Sequence, residues 1–266
     1  MRVNELDIEE LGDGPRVLFI HGDVVGPRST WRKQRELADR WRLIIPNRPG
    51  FGHSPPLERN DFEIEGPLFA DLLGDGAHLV GHSYGGVIAL YTAAARPGAV
   101  RSLTVSEPGL LPLAAGKPEV DEMIANGRRL FSEGAAALSN ERFLRLFRSG
   151  AGSANPTPGE LPAELVEGVE RLKTERPSWE ANVPVDLLRS ADFPILVVSG
   201  GHSEAFEAVS DALAEAVGAE RAVIPGRGHT VPSTGEPYNQ RLEAFMRAAE
   251  ERAERPDQDS NLGPTP

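Results

Sequence analysis

Ser83 stands in the run GHSYGG, residues 81–86, between the apolar stretch AHLV and the alanine-rich helical pattern GVIALYTAAARP. A serine hydroxyl becomes a nucleophile when a neighbouring base takes its proton, and a glycine-flanked corner between a strand and a helix can hold it out for that purpose. A turn this sharp forces Ser83 into strained backbone angles, and a side chain at Gly81 or Gly85 would collide with the adjoining strand or helix. The strain lifts the Ser83 oxygen to the C-terminal edge of a sheet, beside a helix N-terminus whose dipole favours developing negative charge. Of the six histidines, His229 alone follows the last strand pattern on a glycine-bounded loop, RAVIPGRGHT. An imidazole, with an ordinary pKa of about 6.5, can take the serine proton and later return it to a leaving group. The others read as structure: His21 bracing a His-Gly turn, His53 in a loop, His78 opening a strand and His82 preceding Ser83. No H-x-x-x-H spacing or helical pairing of His with a carboxylate occurs, so neither a metal nor any other cofactor is expected.

The elements that must position these groups are short β-branched or leucine-rich runs, each closed by Gly, Pro or Ser: VLFIHG from 17, LIIPN from 43, HLVGHS from 78, LTVSEP from 103, ILVVSG from 195 and AVIPG from 222. Such runs read as buried parallel strands. Helical patterns at about 30–40, 62–73, 85–96, 203–217 and 236–252 alternate with them, which predicts an α/β fold with a mostly parallel central sheet and helices on both faces. The alternation stops for about eighty residues after Pro108. We read 1–110 and 191–253 as the core, 111–190 as a helical cap inserted into it, and the polar residues 254–266 as a disordered tail without a catalytic role. In the cap, Phe143, Leu144, Leu146 and Phe147 follow helical spacing, as packing against the body or as a pocket wall. Arg142, Arg145 and Arg148 share the other side of that helix and read as a solvated face.

The 266 residues carry 28 Lys and Arg against 40 Asp and Glu, a net charge of −12 that argues against a nucleic-acid or anionic-membrane partner. No apolar run approaches the roughly 20 residues of a bilayer span, and the start MRVNELDIEE is acidic where a secretory signal would be basic and then apolar. A cytoplasmic location is the expectation. The absence of cysteine excludes disulfides and a thiolate nucleophile. Oligomeric state leaves no trace in the sequence.

Four motifs, HGDVVGPRSTW from 21, NRPGFGHS from 47, GHSYGG and PGRGHTVP from 225, resemble those of the α/β-hydrolase fold family, in its esterase-like branch with a helical cap, over about residues 15–250. The resemblance implies an oxyanion hole formed by the backbone N–H groups of Asp23 and Tyr84. The Asp23 carboxylate must then point away from the nascent oxyanion. Arg48 is expected to bond backbone carbonyls beside that turn. Many relatives place an acid on the loop where this chain has His202. A triad histidine without a carboxylate loses its orientation, so another acid is expected: Glu107, after the preceding strand and before a proline, with Glu204 as the alternative and Asp192 behind it.

Together these readings give a serine hydrolase acting on an ester-like bond, a carboxylic ester, thioester or amide, of a small uncharged molecule through an acyl-enzyme. Two other functions fit the same residues: a cofactor-free lyase or carbon-carbon hydrolase, and a catalytically silent ligand-binding member. Dehalogenase and epoxide-hydrolase chemistry fits less well, because relatives doing it carry Asp at the position of Ser83.

Overall fold

Strands without polar alternation are stable only where both of their faces are covered. In the computed structural model, which describes residues 1–132, 135–150 and 159–254, the apolar runs take such positions. The strands are β1 (Ile8–Leu11), β2 (Arg16–Ile20), β3 (Arg42–Pro46), β4 (Ala77–His82), β5 (Val100–Ser106), β6 (Ile195–Ser199) and β7 (Glu220–Val223). Among the described residues they form one sheet in the order β1-β3-β2-β4-β5-β6-β7, parallel throughout except for β1.

Alternation of side chains along the strands divides the core in two. Leu18, Ile20, Leu79, Leu103, Val105 and Val197 pack under α2 (Phe62–Ala70), α3 (Tyr84–Ala95) and α8 (Glu204–Val217). Val17, Phe19, Val80, Leu196 and Val198 face the other way, against Trp31 and the apolar side of α9 (Glu236–Glu254).

Three elements differ from the sequence reading. β1 has the sequence IEEL with Glu9 and Glu10 exposed; as an antiparallel edge strand it needs only partial cover, so no apolar run announces it. β7 starts at Glu220, two residues before the expected apolar run, because it too is an edge, paired from Leu196↔Glu220. The helix expected over 30–40 is the single turn α1 (Pro27–Thr30) followed by a 3₁₀ segment, Gln34–Asp39. Trp31, Gln34 and Leu37 are buried there at intervals of three, the repeat of a 3₁₀ and not of an α-helix.

Between β5 and β6 the described residues hold α4 (Pro118–Leu130), α5 (Asn140–Gly150), α6 (Ala163–Thr174) and α7 (Val185–Arg189), and no strand. Phe143 and Leu144 of α5 join Leu161, Val169 and Leu172 around Val24 of the loop after β2, so this helical layer is tied to the sheet's C-terminal edge. Arg142 and Arg145 are exposed, whereas Arg148 is half-buried. Among the described residues no helix is long and apolar enough to cross a membrane. The tail expectation falls almost wholly on residues 255–266, outside the described part.

α6 crosses the loop after β2 so closely that a Cβ on Gly168 would lie 1.8 Å from the Val24 carbonyl oxygen. Gly168→Ala should therefore cost about 1–3 kcal/mol of stability in urea titrations, as overpacking does. Unchanged stability would mean that the helix is not seated on this loop.

Candidate active site

β4 ends at His82, and the chain turns at once into α3 through Ser83, whose φ of 55° lies in the left-handed region. The turn closes only because its neighbours lack side chains. A Cβ on Gly81 would lie 2.4 Å from the Gly85 carbonyl oxygen, and one on Gly85 would lie 2.3 Å from the carbonyl oxygens of Ile20 and His21. Glu107 has φ 49° just past the end of β5, and Val24 has φ 67° in the loop after β2. These are the non-glycine residues with positive φ among the described residues, and all three lie at this edge of the sheet. Strain so concentrated persists only where surrounding packing over-determines the backbone.

The loop after β7 brings His229 to the same corner. Ser83 Oγ lies 2.9 Å from His229 Nε2, and His229 Nδ1 lies 3.1 Å from Glu107 Oε2. His82 fixes this loop from below, its Nε2–H donating to the His229 carbonyl at 2.7 Å. The Glu107 carboxylate is fully buried. Burial alone would raise its pKa, but the facing imidazoles of His202 and His229 and the Gly200 N–H, which donates to Oε1 at 2.5 Å, outweigh burial and bring it down to about 2. Glu107 is thus ionised at any ordinary pH, as a partner for an imidazolium must be. Glu204 and Asp192 are exposed. Of the three acids weighed from the sequence, Glu107 is the one that faces His229.

Tyr84 is the first residue of α3, where a helix N–H has no intrahelical acceptor. The Asp23 N–H has no backbone acceptor among the described residues. Both amides therefore remain available to an oxygen bound near Ser83. The Asp23 carboxylate lies 3.3 Å from Arg48 Nη1, in a cluster that sequence patterning missed. Arg48, fully buried, donates to Glu65 through Nε at 2.8 Å and Nη2 at 2.9 Å, and to Glu175 through Nη2 at 2.5 Å. Of the carbonyls expected as its partners, only that of Gly22 is reached, at 3.1 Å. Glu65 shares the buried side of α2 with Phe62 and Phe69, and an acid on an apolar helix face was the one available clue. Three carboxyls around one guanidinium leave an excess of negative charge in a buried place. The relief is a retained proton: burial, then the charge of Asp23, hold Glu175 well above the usual carboxylate range.

Above Ser83 and His229 lies a cavity of about 230 Å³, walled by Val24, Phe131, Leu146, Phe147, Trp179 and Phe206. Of the four apolar residues of α5 noted in the sequence, Phe143 and Leu144 pack inward, while Leu146 and Phe147 face the cavity.

Residues 17–243 match the model of the alpha/beta hydrolase family. The chain belongs to that family. It is 33% identical over 167 residues to the pimeloyl-[acyl-carrier protein] methyl ester esterase of Chromobacterium violaceum, an alignment covering 60% of this chain and 64% of that protein, just under two thirds of its length. It is 35% identical over 192 residues to the esterase of the same name from Methylococcus capsulatus, covering 63% and 71%. An alpha/beta hydrolase structure from Sphaerobacter thermophilus superposes with a TM-score of 0.68 at 22% identity, over 90% of this chain and 95% of that one, a likeness of fold.

Substitutions at Glu107 and Glu175 probe two of the buried acids, with Glu204→Gln as the comparison. Glu107→Gln should lower kcat on the order of 10³–10⁴-fold, the scale at which a triad loses its orienting charge, while Glu204→Gln stays near wild type; the reverse pattern in ester hydrolysis would move the role to Glu204. For Glu175, a folded pKa above the unfolded one means that the wild type loses stability as pH rises from about 4.3 through the folded value. Glu175→Gln keeps an acceptor for Arg48 and a donor for Asp23 but cannot ionise. In thermal melts its stability relative to wild type should climb as pH rises above the ordinary carboxylate range. A flat difference would place the shared proton elsewhere.

Proposed function

We propose that this chain is a serine hydrolase that cleaves a carboxylic ester of a small, uncharged, largely apolar molecule through an acyl-enzyme. The observation that carries the reading is the unbroken contact chain from Ser83 Oγ to His229 Nε2 at 2.9 Å and from His229 Nδ1 to Glu107 at 3.1 Å. In the first step Ser83 Oγ attacks the ester carbonyl carbon while its proton passes to His229 Nε2. The tetrahedral oxygen accepts from the N–H groups of Asp23 and Tyr84. His229 then protonates the departing alkoxide, leaving the acyl group on Ser83. A water enters, gives its proton to His229, and attacks; Ser83 recovers its proton and the acid departs. Glu107 stays ionised throughout and holds the imidazolium that forms in each step.

The apolar cavity wall supports a hydrocarbon acyl group, and about 230 Å³ is below the roughly 300–1,000 Å³ of pockets that take drug-sized ligands. The names of the two esterase relatives favour a carboxylic ester over a thioester or an amide. No residue outside the chain's own set is needed for these steps.

A fluorophosphonate probe tests the reading directly. Wild type should be labelled at Ser83, Ser83→Ala should not, and p-nitrophenyl esters should show kcat/KM rising with acyl length until the cavity is filled and then falling. Absence of labelling together with absence of turnover across the series would replace the hydrolase with a ligand-binding protein.

A further inference from the structure

His202 stands where many relatives carry their acid, and it faces the Glu107 carboxylate from just beyond hydrogen-bond distance. Both ring nitrogens are inaccessible and without a hydrogen-bond partner among the described residues, although the side chain retains 14% exposure. Buried polar atoms are nearly always hydrogen-bonded, and an imidazole held this loosely beside a carboxylate calls for an explanation. His202 Nδ1 is 3.6 Å from Glu107 Oε1, and His229 Nδ1 is 3.1 Å from Oε2 of the same carboxylate. One ligating atom from each of the three residues fits within a separation of 4.8 Å. Donors around a tetrahedral zinc, with bonds of about 2.0–2.2 Å, stand about 3.3 Å apart, so the two imidazole–carboxylate distances are near that value, while the widest separation in the set has to close by up to about 1.5 Å on binding. Phe206 packs against both rings, with centroids 5.6 Å from His202 and 4.6 Å from His229, and fixes their planes. Gly201 and residues 225–227, on the two histidine loops, are exposed, which leaves a way in for an ion. The ligands come from three separate strand ends, so no local spacing in the sequence could announce them.

We propose that Glu107, His202 and His229 form an inhibitory site for a borderline-soft divalent cation of the zinc class. Two imidazoles and one carboxylate suit zinc, nickel or copper and not magnesium or calcium. Inhibition follows from the tautomer. A cation on His229 Nδ1 needs the lone pair there, so the ring proton moves to Nε2; Nε2–H then donates, and it cannot take the proton of Ser83. The ion also engages the carboxylate that would otherwise steady the imidazolium. The inhibition rests on the hydrolase reading above, whereas the binding itself does not.

The test separates the two. Zn²⁺ binding to Ser83→Ala is measured by competition with a chromogenic chelator, and the histidine ring resonances of the same protein are followed by NMR. One Zn²⁺ per chain is expected, with the His202 and His229 signals moving together. Adding His202→Asn should weaken binding tenfold or more. In wild type, saturating Zn²⁺ should slow fluorophosphonate labelling at least tenfold, Mg²⁺ should not, and EDTA should restore it. Zn²⁺ affinity unchanged by His202→Asn, or a shift confined to the exposed His53, overturns the site. If His202→Asn does not fold, the NMR result alone decides. Intact Zn²⁺ binding at the two histidines in a wild type that is never labelled would instead overturn the hydrolase reading.

Discussion

A hydroxyl 2.9 Å from an imidazole is reactive only if the imidazole cannot turn away. Everything at this edge of the sheet serves that constraint. Ser83, Glu107 and Val24 each hold a backbone conformation that an isolated chain would leave; Ser83 and Glu107 are held at the ends of strands flanked by parallel neighbours on both sides, and Val24 by the helical layer packed on its loop. The strain is tolerated because the sheet is buried on both faces and its strand ends have nowhere else to go. Glycine at 81 and 85 is the condition for the corner, and the His82 side chain and the Glu107 carboxylate fix the position and plane of His229 from two directions.

The same residue type is pushed in two opposite electrostatic directions. Glu107 and Glu175 are both buried acids. Glu107 faces imidazoles and an amide N–H, and its pKa is held down; Glu175 faces Asp23 and shares one guanidinium with Glu65, and its pKa is pushed up. Environments that push like groups apart in this manner are how an active site obtains a fixed charge and a neutral wall from one chemistry.

Sequence and structure agree where a local pattern determines the outcome. The apolar runs became the central strands because a strand covered on both faces has no polar alternative. Ser83 and His229 were legible because a glycine corner and a glycine-bounded loop are local features. For the acid the sequence put Glu107 first and left Glu204 as the alternative, since each follows a strand and only the close approach of the ends of β5, β6 and β7 distinguishes them. The edge strand β1 was hidden by its own charges, and the 3₁₀ segment by a period of three that resembles a helix over one turn. Arg48 with Glu65 and Glu175 was least legible, since its partners come from α2 and from the end of α6, and nothing in either stretch names the other.

In the proposed reaction Ser83 carries the acyl group between two steps. Quenching the protein during turnover of a slowly deacylated ester and weighing it intact would read this directly. A covalent acyl-enzyme gives a mass increase equal to the acyl group, localised to the peptide that contains Ser83. Continued product formation with no covalent adduct, or an adduct on another residue, would contradict it.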